Sequence, residues 1–166
     1  MGLIIRTALE SDAGAIAAIY NWYVENTIST FETAAVGAEE MRRRIREKLD
    51  KHYWAAGLVD DVLIGYAYYG AFRPRPAYSH TAESTVYVAR ESLGKGYGTA
   101  LYSELISAAR SGGVREIIGV IALPNPASIK LHEKMGFRQV GLLHQVGHKF
   151  GSYIDVSLWQ CSLAGA

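Results

Sequence analysis

Apolar and polar positions alternate along this chain with two periods, and the switches between them lay out its elements. Residues 3 to 7 form a short apolar strand pattern. After Asp12, a helix N-cap type, Ile16, Ile19, Tyr20 and Tyr23 recur at three- and four-residue steps and predict a helix with one buried face. Met41, Ile45 and Leu49 repeat that spacing over Glu39–Leu49, and the remaining positions are rich in Arg and Glu, as in a solvated covering helix. Residues 53 to 59 and 62 to 70 are apolar, aromatic runs separated by Asp60 and Asp61, the pattern of a hairpin with its tight turn at the aspartates.

The segment from Gly70 to His80 is broken by two prolines and predicts an irregular loop. Ala82–Ala89, dense in β-branched and aromatic residues, predicts a central strand. A glycine cluster then opens a helical pattern over Thr99–Ala109, followed by a strand at Ile117–Ala122, a helix led by Asn125-Pro126, and strands near Phe137–Val146 and Tyr153–Cys161. The alternation predicts an α/β (α+β) chain with a mixed sheet. No repeat or low-complexity linker interrupts it, so residues 1 to 166 are expected to form one domain.

Composition narrows the classes. Apolar residues make up 49% and charged residues 20%, the balance of an ordinary globular protein. A formal charge of +1, with Lys and Arg scattered along the chain, predicts no nucleic-acid face. The first residues, MGLIIRTALESD, lack a signal core, a membrane span and the myristoylation pattern, so a cytoplasmic protein without membrane partners is expected. The single cysteine, Cys161, excludes an intrachain disulfide and a cysteine zinc cluster, and no metal is expected.

Three motifs carry candidate chemistry. Gly94-Lys95-Gly96-Tyr97-Gly98 lies between a strand and a helix, where glycines turn N–H groups inward and the helix start adds partial positive charge. That suits a pyrophosphate, although a plain strand-to-helix turn has the same composition. The dinucleotide pattern fails at Thr99, and no Ser or Thr follows a GK pair after four spacer residues. The second motif places Asn125, Ser128 and His132 on one edge of a helix, facing a cleft or simply solvent. In the third, Glu83 begins an apolar strand beside Tyr87, where desolvation suits a general base if the site is not a water-filled rim.

In this order, with Gly136-Phe137 ending the Asn-led helix, the motifs resemble the GNAT superfamily. Nearly the whole chain resembles its phosphinothricin and methionine sulfoximine acetyltransferases, through Tyr20-Asn21, Tyr23-Val24-Glu25, Thr30-Phe31, Thr81–Val88, Gly96, Gly98, Leu101-Tyr102, Leu123-Pro124-Asn125, Ser128, His132-Glu133 and Asp155-Val156. The resemblance implies a mostly antiparallel mixed sheet, splayed at an acetyl-CoA site and flanked by helices. It implies N-acetyl transfer from acetyl-CoA to a small amino-acid-like amine, without metal and with Glu83 as base; His132 stands where many members carry the tyrosine that protonates the leaving thiolate, so that role either passes to His132 or is absent. Cys161, in the last strand, has no evident activating partner, so direct transfer is expected over a covalent route.

Leu93, Gly94, Lys95, Gly96, Tyr97, Gly98 and Thr99 are then expected around the pyrophosphate, with Val86, Tyr87, Val88, Asn125 and Ser128 along the rest of the cofactor. Leu93 and Gly94 depart from the family, which carries Gln or Arg at the first position and often Arg at the second. Phe31, Glu32, Arg73, Arg75, Tyr78 and Tyr87 are the expected acceptor contacts, the arginines reading an anionic head group. A homodimer is also implied. The alternatives are acetyl transfer to a protein N-terminus, a polyamine or an aminoglycoside, and a CoA-binding sensor without catalysis.

Overall fold

The computed structural model describes residues 2 to 165. Seven strands form one sheet in the order β1-β2-β3-β4-β5-β7-β6. They are β1 (Ile4–Thr7), β2 (Trp54–Val59), β3 (Val62–Ala71), β4 (Thr81–Val88), β5 (Glu116–Ala122), β6 (Arg138–Lys149) and β7 (Ser152–Ser162). Four helices, α1 (Ala13–Asn26), α2 (Ala38–Leu49), α3 (Tyr97–Ser111) and α4 (Pro126–Lys134), are joined to them by loops and short 3-10 turns. Every neighbouring pair is antiparallel except β4 and β5.

That parallel pair shapes the molecule. It is in register only over Thr81–Glu83 against Glu116–Ile118, yet β4 runs on to Val88 and β5 to Ala122. The strands therefore part beyond Glu83, opening a wedge in the middle of the sheet. Two apolar layers hold it from either side. Leu101, Tyr102 and Leu105 of α3 pack with Ile117, Phe137 and Trp159 on one face. Ile16 and Ile19 of α1 and Met41 and Ile45 of α2 pack with Trp54 and Tyr66 on the other. Removing side chains of this size from water is the main source of stability.

The β2–β3 turn falls at Asp60 and Asp61, both at positive φ (51° and 64°), the primed geometry that matches hairpin twist. One expected boundary and one expected cap differ. Helix α3 begins at Tyr97 rather than Thr99, with Gly96 as its left-handed N-cap, so Tyr97, Gly98 and Thr99 form the first helical turn. Asp12 does precede α1, but its carboxylate does not cap it. It turns back to accept from Arg6 at 2.7 and 2.9 Å and from the Leu9 N–H at 2.7 Å.

The hydrogen bonds and charge of Arg6, with the Leu9 N–H, hold Asp12 below its ordinary pKa of 3.8 against a smaller opposing effect of burial. A carboxylate depressed on folding contributes stability that is complete above 3.8 and is lost as the pH falls through its folded value. Urea midpoints of wild type and Asp12→Asn should thus differ at neutral pH and converge on acidification below about pH 4. A difference that stays constant with pH would refute this coupling.

Candidate active site

The wedge exposes backbone as well as side chains. Hydrogen bonds from the Ala89 N–H to the Ile64 carbonyl and from the Phe72 N–H to the Thr81 carbonyl fix the phase of the β3–β4 ladder. Odd-numbered residues of β4 therefore bond to β3, and Ser84, Val86 and Val88 direct their N–H and C=O groups toward the gap. The Val88 carbonyl is met there by the Tyr23 hydroxyl at 2.6 Å.

On the α3–α4 side the gap widens into a cavity of about 390 Å³. Its wall includes Val86, Val88, Leu93, Gly94, the Gly96–Thr99 turn, Asn125, Ser128 and His132. Gly94 and Gly96 sit at φ +75° and +83°, a conformation that L side chains rarely adopt. The bend delivers the chain to the start of α3, where the first intrahelical bond is Ala100 N–H to the Gly96 carbonyl. The N–H groups of Tyr97, Gly98 and Thr99 precede that bond and sit at the positive end of the helix dipole. This is a ready anion cradle built from backbone. Lys95 does not line the cavity, and Leu93 lines it while half exposed.

The deep wall is a hydrogen-bonded chain. Asn125 caps α4 by accepting the Ser128 N–H at 3.1 Å and donates to the Ser29 hydroxyl at 3.3 Å. His132 is only 5% exposed, and its Nδ1 lies 2.8 Å from the Ser128 carbonyl. A carbonyl only accepts, so Nδ1 carries the proton and Nε2 accepts from the Tyr102 hydroxyl at 3.1 Å. The Ser84 hydroxyl lies 2.6 Å from that of Tyr102. Burial lowers the proton affinity of His132, and the hydrogen bond to Ser128 opposes that.

A second cavity, about 220 Å³, opens on the α1 side. Ser29, Ser84, Thr85, Tyr87, Val120 and Ala122 line both cavities, so the two meet through the wedge. Glu83 lines the second, and it is the one charged side chain on that wall among the described residues. It is half-buried; burial raises its pKa above the ordinary carboxylate value and the charge of Lys48 pulls it back. Among the described residues no group of three or more His, Cys, Asp or Glu is placed to hold a metal.

The expected acceptor residues divide. Phe31 lines the second cavity, its ring against Gly147. Tyr87 lines both cavities and donates to the Ser29 carbonyl at 3.2 Å. Glu32 lines neither, because its carboxylate is engaged by Arg44 at 2.7 Å. Arg73, Arg75 and Tyr78 also lie outside both. Their proline-bounded segment folds on itself, with the Arg73 guanidinium 5.0 Å from the Phe72 ring centroid and 5.7 Å from that of Tyr78. Sequence reasoning missed Tyr102 and Ser29. Tyr102 reads as one more core position in an apolar helix, and Ser29 belongs to a loop whose place depends on the fold.

Residues 5–158 match the acetyltransferase (GNAT) domain family. A methionine sulfoximine and methionine sulfone acetyltransferase of Pseudomonas aeruginosa is 36% identical over 166 residues, covering 98% of this chain and 96% of that protein. Among solved structures, a phosphinothricin acetyltransferase of Sinorhizobium meliloti in complex with acetyl-CoA superposes with a TM-score of 0.94 at 35% identity, over 98% of this chain and 89% of that one. A ribosomal-protein-alanine N-acetyltransferase of Brucella melitensis gives 0.94 at 38% identity, over 96% and 99%.

Proposed function

This chain belongs to the GNAT family and is an acetyl-CoA-dependent N-acetyltransferase, and from that premise we propose that its acceptor is the α-amino group of a small amino-acid-like molecule of the phosphinothricin, methionine sulfoximine or methionine sulfone type. One observation carries the reading. Glu83 is the one charged group on the wall of a small cavity that meets the larger cavity through the wedge. A lone carboxylate attracts one ammonium, whereas a polyamine or aminoglycoside would call for several. The 220 Å³ volume suits a molecule of amino-acid size. An alanine at a protein N-terminus presents the same nucleophile, and the name of the Brucella neighbour keeps that acceptor as the second reading.

The larger cavity has donors for the cofactor. The N–H groups of Tyr97, Gly98 and Thr99 suit its pyrophosphate, which compensates for the missing cationic side chains at Leu93 and Gly94. The edge of β4 at Val86 and Val88 suits the amide-bearing arm that carries the thioester. When bound, acetyl-CoA supplies an activated acetyl group. An acceptor amine is protonated at neutral pH, so a proton must leave before its lone pair can attack, and Glu83 takes it directly or through one water. Inward N–H groups of Val86 and Val88 donate to the oxygen that gains charge as the new C–N bond forms. The attacking nitrogen still holds the proton it must lose to become an amide, and the departing thiolate, with a proton affinity near that of cysteine, takes it directly or through one water as the C–S bond breaks, giving amide and free thiol; His132 serves by fixing Tyr102 on the cavity wall.

An anionic head group meets no cationic side chain on the second cavity's wall among the described residues of one chain. In this reading a homodimer completes the acceptor site, supported by an edge strand, β6, that leaves Leu142, Leu143 and Val146 exposed. Initial rates with acetyl-CoA and methionine sulfoximine should give intersecting reciprocal plots, with no acetylated protein in the mass spectrum after incubation with acetyl-CoA alone. Parallel plots and an acetylated protein would overturn direct transfer.

A further inference from the structure

We infer that Lys48 is a positioning residue for acetyl transfer: its ammonium lies over Gly70, the strand partner of Glu83, where a second-row positive charge keeps that carboxylate able to accept a proton. The inference rests on the reading of Glu83 as the base.

Helix α2 carries five basic residues before its end, and four of them are engaged. Arg42 pairs with Glu39, Arg43 with Glu40 and Glu47, Arg44 with Glu32 and Glu40, and Arg46 with Glu10. Lys48 makes no ion pair among the described residues; its half-buried side chain reaches across the sheet instead. A Cβ built on Gly70 would collide with the Lys48 ammonium, so the absent side chain is what admits the cation. Gly70 is paired with Glu83 in the β3–β4 register, at a hydrogen-bonded position by the phase of that ladder. Partners at such positions share a face with Cα atoms about 5.5 Å apart. The ammonium thus occupies the space beside the carboxylate, 5.2 Å from the Tyr68 ring centroid.

The other groups that face this corner do not substitute for it. Tyr68 from β3, Tyr20 from α1 and Tyr87 from β4 all have their phenol pKa raised by burial and stay neutral. Arg44 and Glu47, the nearest charges on α2, are engaged by Glu32, Glu40 and Arg43, and His52, just beyond α2, has its proton affinity lowered by burial and by the charges of Lys48 and Lys51. Lys48 is the one charge that opposes the effect of burial on Glu83, and Glu83 in return offsets the desolvation that lowers Lys48. Distance matters here. A salt bridge in contact would hold the carboxylate so strongly that it became a poor base, whereas no cation would leave the effect of burial unopposed. A charge one strand away sets an intermediate proton affinity.

The test is the pH dependence of kcat/KM for acetylation of methionine sulfoximine, from about pH 5 to about pH 9, in wild type, Lys48→Met and Lys48→Arg, with Lys48→Gln as a second neutral variant should Met fail to fold. A neutral side chain should move the acidic limb upward by about one pH unit, a loss of about tenfold below the limb, with the alkaline plateau and acetyl-CoA affinity retained. Lys48→Arg should keep the wild-type limb. An unmoved limb, or an equal loss at every pH, would overturn the inference. Carbon-13 NMR titration of the Glu83 carboxyl in the same variants separates the two claims. A titration that does not move sinks the role of Lys48, and one that moves without the rate profile sinks Glu83 as base while confirming the coupling.

Discussion

Replacing Glu83 with Gln is expected to lower turnover by about 10²- to 10⁴-fold, the usual contribution of a positioned general base. The substitution keeps shape and hydrogen-bonding capacity but removes the lone pair that takes the ammonium proton. Binding should be affected unequally. The carboxylate lies on the wall of the smaller cavity and not on that of the larger, so acetyl-CoA affinity should stay within about twofold, since each tenfold change corresponds to about 1.4 kcal/mol and no cofactor contact is removed. A rate that recovers at high pH in Glu83→Gln would fit this account, because alkali deprotonates the amine without help. Unaltered turnover at neutral pH would remove Glu83 from the chemistry. Loss of acetyl-CoA binding in step with turnover would assign it to the cofactor site.

The second large effect is expected at Gly96→Val. A β-branched side chain at φ +83° is strained by about 1–3 kcal/mol, and the chain can relieve that only by reshaping the turn that starts α3. Folding stability should fall by a comparable amount. The three N–H groups at Tyr97, Gly98 and Thr99 would also be redirected, so the dissociation constant for acetyl-CoA should rise about 10- to 100-fold. Acceptor KM measured at saturating acetyl-CoA should change little, since Gly96 lines only the larger cavity. Lys95→Ala provides the contrast. Its exposed side chain does not line the cavity, and its loss should cost affinity only through a weak, salt-screened attraction. A Gly96→Val protein that is destabilised yet binds acetyl-CoA normally would show that the glycine serves folding alone.

Much of this site was legible in the sequence because its parts obey local rules. The Asn125 cap, the glycines ahead of α3 and the aspartate turn between β2 and β3 each depend on a few neighbouring residues. The order in which Glu83, Gly96, Asn125 and His132 follow one another brought out the family resemblance, and the family match agrees with it. What was illegible depends on how the chain folds back on itself. Asp12 has the composition of a cap, but Arg6 on β1 and the Leu9 N–H draw its carboxylate away from α1. Arg73 and Arg75 have the chemistry of an anion site, yet the two prolines turn their segment onto Phe72 and away from both cavities.

Lys48 looks like one more charge on a solvated helix until Gly70 and Glu83 are seen opposite each other across β3 and β4. His132 has the right place, but its tautomer depends on the carbonyl of Ser128 and the hydroxyl of Tyr102, the latter thirty residues away on another helix. The wedge itself leaves no mark in hydrophobic pattern. Strands β4 and β5 read as ordinary apolar runs, and only their short shared register shows that they diverge.

Thiol release from acetyl-CoA, followed against a panel of acceptors, tests the central claim most directly. The panel should hold methionine sulfoximine, phosphinothricin, methionine sulfone, common amino acids, an alanine-led peptide, a polyamine and an aminoglycoside. The account predicts that one of the first three gives the highest kcat/KM and exceeds the cationic amines by about a hundredfold or more. Equal or greater activity on the polyamine, the aminoglycoside or the peptide would contradict it.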